Sequence, residues 1–403
     1  MRHFKRIEEL VFLSLTLLGA QLRAEPIFTA QDLGPNNQAS DLNEHGELAG
    51  EFREMVQYAQ YFDGTRWRQS AGGDGLEWSA LYGINNDHAA VGARAVALTN
   101  GLAVQAILVH GSEPDRAINL GSLTGENGNA RALAINDSGI AVGDSLAPNA
   151  QRHAVRFETN GTVTGLNAVG WESSSAVDIN QRGDIAGEWS NAKGETRGFF
   201  LPIDGTAHDM GTLGGSDTYV KGLNAGGEIV GGSITSSGEW HAFVYSSGEM
   251  KDLGTLGGKE SMAYGINDQG VIVGASTKQN GVLTAFIKYP GKPMEDLAVL
   301  TKIKESDSLV LAVAVNNRGM ILARGSKNAS NYLFRPGFLE IESSSEGVRL
   351  KYSAPENTRL RIDAALALPD WTPLVTNTIT TGPLLLNQPL LGSAQFYRAV
   401  VEQ

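Results

Sequence analysis

The apolar positions of this chain come in short runs, and they do not recur at helical spacing. Stretches such as Val271-Ile272-Val273 and Ala141-Val142 are bounded within a few residues by Gly, Asn, Asp or Ser. No long window carries an apolar stripe with a period of about 3.6 residues. Brief apolar runs between turn formers predict strands joined by tight loops, so the chain reads as all-β.

One stretch, Lys251 to Ser276, shows the unit from which the pattern is built. It holds a short D-L-G strand, a loop of small residues, an aliphatic-Asn pair, a Gly three residues on, and a V-x-V-G strand. Aligning on the aliphatic-Asn pair finds copies at Leu42-Asn43, Ile84-Asn85, Ile135-Asn136, Ile179-Asn180, Leu223-Asn224, Ile266-Asn267 and Val315-Asn316. Gly follows three residues later at Gly46, Gly139, Gly183, Gly227, Gly270 and Gly319, and the second copy has His88 there. Another Gly follows at Gly50, Gly92, Gly143, Gly187, Gly231 and Gly274, with Ala323 in the last copy. Successive Asn residues are 42, 51, 44, 44, 43 and 49 apart, which is a repeated supersecondary unit that takes insertions in its loops.

The N-x-x-G tetrad predicts a hairpin. Asn at the first turn position can accept a bond from its own backbone two residues on. Gly at the last position supplies the positive φ of a bulged hairpin loop. The Asn is therefore read as a turn former, in preference to a ring of amides around a ligand. Two further strands complete each unit, one at segments such as His153-Ala154-Val155 and His241-Ala242-Phe243, the other at the D-L-G tripeptides. Four short strands per repeat, seven times over, predict a seven-bladed β-propeller of four-stranded blades.

The ends of the repeat region suggest how the ring closes. Ile27 to Gly34 is a D-L-G strand without a preceding partner, and Asn331 to Arg335 has no D-L-G after it. The first segment can supply the strand that the last repeat lacks, which leaves no long edge exposed. From about Phe338 the repeat stops. Alternating stretches at Phe338–Glu342, Val348–Tyr352, Arg359–Asp363, Asp370–Leu374 and Gln395–Val400 predict a small C-terminal β-sandwich with Trp371 as its core aromatic. The expected divisions are 1–24, 25–336 for the propeller and 337–403 for the sandwich.

Residues 1–24 change the setting. Arg2, Lys5 and Arg6 precede an apolar run from Leu10 to Ala20, and Leu22-Arg23-Ala24 offers a cleavage site, the layout of a secretory signal peptide. Cleavage after Ala20 is the other option. The chain is acidic, −12 at neutral pH, and more so without that segment. Such a charge argues against a nucleic-acid partner, and no stretch of the mature chain is long and apolar enough to span a membrane as a helix. There is no cysteine, so disulfides, thiol chemistry and Cys-ligated metals are excluded.

Four features together resemble the bacterial HAF-repeat family of extracellular repeats. They are His241-Ala242-Phe243, Asp252-Leu253-Gly254-Thr255-Leu256-Gly257-Gly258, Ser261-Met262-Ala263 and Ile266-Asn267-Asp268-x-Gly270-x-x-Val273-Gly274. The resemblance covers Asp32 to Arg335 and is closest in the fifth and sixth copies. It implies an extracellular repeat protein and brings no catalytic residues with it. The tail, with Leu368-Pro369-Asp370-Trp371 and a terminal Phe396-Tyr397-Arg398, looks like a small module found on secreted bacterial proteins.

A search for chemistry finds no constellation. Gly211-Thr212-Leu213-Gly214-Gly215 lacks the Lys-Ser/Thr of a phosphate loop. His153 and His241 hold equivalent repeat positions and read as strand residues. The turn carboxylates at Asn136-Asp137 and Asn267-Asp268 do not match a calcium loop. Trp67, Trp78, Trp171, Trp189 and Trp240 read as blade packing rather than as a glycan platform. No catalytic residue, metal ligand or cofactor is assigned, and the ligand-binding residues are left open. The expected function is a secreted, non-enzymatic binding or surface module for an extracellular glycan or protein. The alternative is a polysaccharide-active enzyme with carboxylates at the channel mouth.

Overall fold

In a computed structural model, described residues run from 27 to 402. Excepted are 55–56, 71–77, 100, 126–127, 159, 167–170, 302, 304–306, 328–329, 345–346, 354–358, 366–371, 379–383 and 389–395. From 337 onward the description is of backbone strands alone. The signal-peptide expectation for 1–24 lies outside these residues, as does Trp371.

The repeats are blades. Six four-stranded antiparallel sheets follow one another along the chain, each with its strands in sequence order. Their first strands are Asn37–Leu42, Ser79–Ile84, Ala130–Ile135, Ser173–Ile179, Gly214–Leu223 and Gly257–Ile266. The seventh blade begins at Leu309–Val315 and continues through Ile321–Gly325 to the strand from Asn331. Each first strand packs against the next, and Leu309–Val315 packs against Asn37–Leu42. The ring is closed.

Closure takes the predicted route. The strand Ile27–Asp32 pairs with the one beginning at Asn331 and supplies the fourth strand of the seventh blade. The Leu33 amide donates to the Asn331 carbonyl at 2.9 Å. The Leu33 carbonyl accepts from Trp67 Nε1 (3.1 Å) and Asn37 Nδ2 (3.0 Å) of the first blade. Leu33, Ala39, Leu42, Leu48 and Phe62 bury together with Met320, Leu322 and Leu333 of the last. An edge that would otherwise face water is satisfied both by backbone bonds and by apolar burial.

The strand pattern explains the repeat motif. In the second strand of the fourth, fifth and sixth blades the Gly seven residues after the Asn lies opposite the aromatic of the third strand, in Gly187↔Phe199, Gly231↔Phe243 and Gly274↔Phe286. A Cβ on Gly143 or Gly231 would come within 1.9 Å of the Arg131 or Tyr219 carbonyl, and one on Gly187 or Gly274 within 2.6 Å of the Phe ring. The glycine lets the first strand and the ring approach the same backbone, and the aromatic covers the gap left by the missing side chain. Phe157, Phe199, Phe243, Phe286 and Phe334 are all fully buried. Burying each such ring contributes about 2–3 kcal/mol.

The D-L-G tripeptides are shorter strands than their sequence suggests. The fourth strands end at Asp209 and Asp252. There the Asp side chain turns the chain by accepting the Gly211 and Gly254 amides at 2.8 and 2.7 Å.

In the C-terminal region Gly347–Ser353 pairs with the strand Asn331–Ser344 and with Leu384–Gln388. Arg359–Ala365 lies between Thr372–Thr378 and Phe396–Glu402. The strand at Leu384–Gln388 was not anticipated. Sandwich packing between these sheets is a matter of side chains outside the described residues.

Candidate functional site

Two positions of the repeat point toward the propeller axis, and they have different fates. The first is the Asn of the N-x-x-G turn. Its Oδ1 accepts the amides two and four residues on, as in Ser138 and Ile140 onto Asn136, both at 3.1 Å. The following Gly takes φ between 73° and 90°. The turn reading is therefore right, but it is half of the role. Each Asn Nδ2 donates to the carbonyl of the Asn in the next blade: Asn43 to Asn85, Asn85 to Asn136, Asn136 to Asn180 and onward to Asn224, Asn267 and Asn316. Asn316 returns to Asn43 at 2.9 Å. All seven are buried, none above 5% exposed. Each amide is thus engaged at both its oxygen and its nitrogen within the ring.

A second circle lies one residue further on. The Glu44, Asn86, Asp137, Ala225, Asp268 and Asn317 amides donate to side-chain oxygens of Asn86, Asp137, Gln181, Asp268, Asn317 and Glu44. The circle breaks where Gln181 meets Ala225, which has no acceptor. Asp137 and Asp268, the turn carboxylates of the sequence reading, are thus engaged as clasps. Among the described residues no group of His, Asp or Glu converges as a metal would need.

The second axial position lies two residues before the Asn, at the bulge of the first strand. Five blades carry Gly83, Ala134, Gly222, Gly265 and Ala314 there, and two carry Asp41 and Asp178. Asp41 accepts from the Leu42 amide (2.8 Å) and, across the blade boundary, from Ile84 (2.9 Å). Asp178 does the same with Ile179 and Leu223, both at 2.8 Å. Both carboxylates are half-buried. Burial, partly offset by these backbone bonds, pushes Asp41 up to about 6. Burial and the charge of Asp41 push Asp178 up to about 7. No sequence motif marks this pair, since it exists only once the ring has formed.

Toward the start of the first strands the copies diverge in charge. The residue after the second-strand Gly is Glu51, Ala93, Asp144, Glu188, Gly232, Ala275 and Arg324 in turn. Asp144 is fully buried, with Arg131 Nη2 at 2.7 Å, Arg152 on its other oxygen and Ser175 Oγ of the next blade at 3.2 Å. Glu51 holds Arg53 and Gln57. Glu188 accepts the Val220 amide at 2.9 Å, with Lys221 Nζ at 4.0 Å. Tyr82 and Tyr264, three residues before their Asn, stand half-buried beside these charges.

The tryptophans pack. Trp171 stacks on Trp189 at 5.7 Å and tilts onto Phe199, Trp240 stacks on Tyr219 at 5.2 Å, and Trp67 lies against Phe62. His153 is a buried strand residue, and His241 Nδ1 meets Asp252 Oδ2 at 2.8 Å within its blade. The Thr-Leu-Gly-Gly loop is a structural turn: Thr212 Oγ1 donates to the Gly215 carbonyl, and the Leu213 amide donates to Ser233 Oγ. Sequence reasoning missed one histidine group. His88, at φ 60° where six copies have Gly, stacks on His45 at 5.1 Å, meets His110 edge-on and binds Glu47 through Nδ1 at 2.7 Å. Its departure from the N-x-x-G pattern was the available signal.

No protein-family model and no curated protein matches the chain. Among solved structures it is similar to TolB from Acinetobacter baumannii, at 12% identity and a TM-score of 0.42 over 72% of this chain and 63% of that one. YCF48 bound to D1 peptide gives 9% and 0.45 over 77% and 97%. A gluconolactonase, XC5397 from Xanthomonas campestris, gives 10% and 0.37 over 76% and 100%. The chain thus spans just under two thirds of the TolB chain. Its own strand pairings and its closed circle of seven asparagines establish a seven-bladed β-propeller of four-stranded antiparallel blades.

Proposed function

We propose that the chain is a secreted, non-enzymatic binding module of the HAF-repeat type, which takes an extracellular ligand at the end of its axis where the first strands begin. One observation carries this reading. The positions that build the ring are alike in nearly every blade, whereas those at this end differ from blade to blade and hold Glu51, Asp144, Glu188 and Arg324 where others hold Gly or Ala. Charge sunk between blades costs desolvation that an apolar residue would avoid, so its presence favours a role beyond packing. The C-terminal strands serve in this reading as a separate small sandwich module.

Two measurements test it. N-terminal sequencing of protein recovered from the culture medium should begin at Glu25, or at Gln21 for the earlier cleavage. Glycan and protein arrays probed with the mature chain should show a ligand whose binding is lost on substituting residues at this end of the axis. A chain retained in the cell, or one that binds nothing, overturns the reading and leaves a structural spacer.

A second reading has one observation in its favour. Asp41 and Asp178 are half-buried acids of the ring with pKa values raised by burial, and a polysaccharide-active enzyme uses a carboxyl kept protonated in that way. Against it, both oxygens of each carboxylate already accept backbone amides of the ring. Release of reducing sugar that vanishes in Asp41→Asn and Asp178→Asn would favour the enzyme.

A further inference from the structure

The charged end of the axis has an asymmetry that bears on the ligand class. The acids there are sunk and the cations stand out. The Asp144 side chain is 0% exposed, while its partners Arg131 and Arg152 are 39% and 38% exposed. The Glu51 side chain is 7% exposed and that of its partner Arg53 is 53%. Arg324, which donates to the Ala39 carbonyl, lies close enough to feel both Glu51 and Arg53. Asp144 therefore has two guanidiniums on it, and Glu51 has one in contact and a second within its field, so each of these two groups carries one positive charge in excess, whereas Glu188 and Lys221 balance. Around these two groups it is guanidinium that reaches solvent, on a chain whose formal charge is −12 and whose carboxylates Glu54, Glu172 and Glu260 stand exposed elsewhere at this end.

Tyr82 lies on Ser79–Ile84, the strand that packs on Leu48–Arg53 on one side and on Ala130–Ile135 on the other, and so stands between the two groups. Neither its hydroxyl nor that of Tyr264 has a hydrogen-bond partner among the described residues, and neither is sealed from solvent. A planar guanidinium pairs best with a planar carboxylate. A tyrosine offers a flat apolar face and a hydroxyl to a sugar ring.

Resting on the binding reading above, we propose that the ligand is an acidic polysaccharide, and that the carboxylate of a uronic acid residue seats between the Arg53 and Arg131 groups against Tyr82. The guanidiniums supply the charge, and Glu51 and Asp144 hold them in position so that little side-chain freedom is lost on binding.

Calorimetric titration of the mature full-length chain with oligogalacturonate, and with the same oligomer methyl-esterified, tests this. The acid form should bind more weakly as salt rises, and the ester should bind about tenfold more weakly than the acid, the loss expected for one charge-assisted contact. Arg53→Gln and Tyr82→Phe, which leave Asp144 and its partners in place, should each weaken binding about tenfold; Tyr82→Phe should leave the melting temperature unchanged, whereas Arg53→Gln, which takes the cation from sunken Glu51, should lower it. Equal binding of the ester, unchanged binding in both variants, or equally tight binding of oligothymidylate overturns the inference. If a neutral glycan or a protein binds while the uronate does not, the ligand class is wrong and the binding reading stands. If neither arrays nor uronate show binding, both fail.

Discussion

At the scale of single residues, the turn asparagine does three jobs with one amide. Oδ1 nucleates its own hairpin through two accepted bonds, and Nδ2 ties that hairpin to the next blade. Asn supplies an acceptor oxygen and a separate donor nitrogen on one short side chain, so it can face two ways at once. Asn136→Ala should take the acceptor from the Ser138 and Ile140 amides and the donor from the buried Asn180 carbonyl, and cost about 2–3 kcal/mol, measured by urea denaturation. Asn136→Asp keeps the acceptor but sets a carboxylate oxygen against the Asn180 carbonyl. It should be destabilising at neutral pH and recover in part as the pH falls and the carboxyl gains a proton. Equal damage at both pH values would show that the donated bond contributes nothing. That Asn makes a turn was legible in N-x-x-G. That its other end clasps a neighbour 44 residues away was not, because spacing along the chain does not say which amide faces which carbonyl.

At the scale of one blade, two kinds of glycine serve different needs. Gly139 sits at φ 76° in the hairpin, where a side chain costs about 1–2 kcal/mol of backbone strain. Gly143 lies in the second strand, where a Cβ would meet the Arg131 carbonyl at 1.9 Å. Gly143→Ala should therefore lower the melting temperature more than Gly139→Ala, since a backbone carbonyl cannot swing aside as a side chain can. Phe243→Ala, which uncovers Gly231 and empties a fully buried site, should cost about 3–5 kcal/mol. The repeat motif shows these residues together; their cross-strand pairing explains why they recur as a set.

At the scale of the whole ring, stability depends on closure and on the two buried acids. Removing residues 25–34 takes away the fourth strand of the seventh blade together with Leu33 and its bonds to Asn331, Asn37 and Trp67. The truncated chain should melt at clearly lower temperature and with a broader transition; an unchanged melting curve would refute closure by this strand. Asp41 and Asp178 favour the protonated form in the folded state. Their contribution is full below the ordinary carboxylate value and is lost as pH rises through about 6 and about 7. Stability should fall between about pH 4 and pH 7, by an amount on the order of a few kcal/mol. Asp63, Asp184 and Asp307, whose carboxyls hydrogen bonds hold below the usual range, act in the opposite sense at lower pH. The double variant Asp41→Asn with Asp178→Asn should flatten the slope between pH 4 and 7. A slope that persists assigns it to other groups.

The sequence by itself determined the strand class, the blade, the number of blades and the residue that opens each hairpin. Those follow from local chemistry: alternation, turn residues and a period near 44 residues. The ends of the chain even disclosed how the ring would close, since one orphan strand implied a missing partner. Only the tertiary structure decided what faces the axis. Asp41 and Asp178 lie far apart in sequence and take the same position in two blades of one ring, while Asp137 and Asp268 accept their neighbours' amides. Burial and partner geometry are properties of the closed circle, so the charged end of the axis became visible only when seven similar hairpins stood side by side.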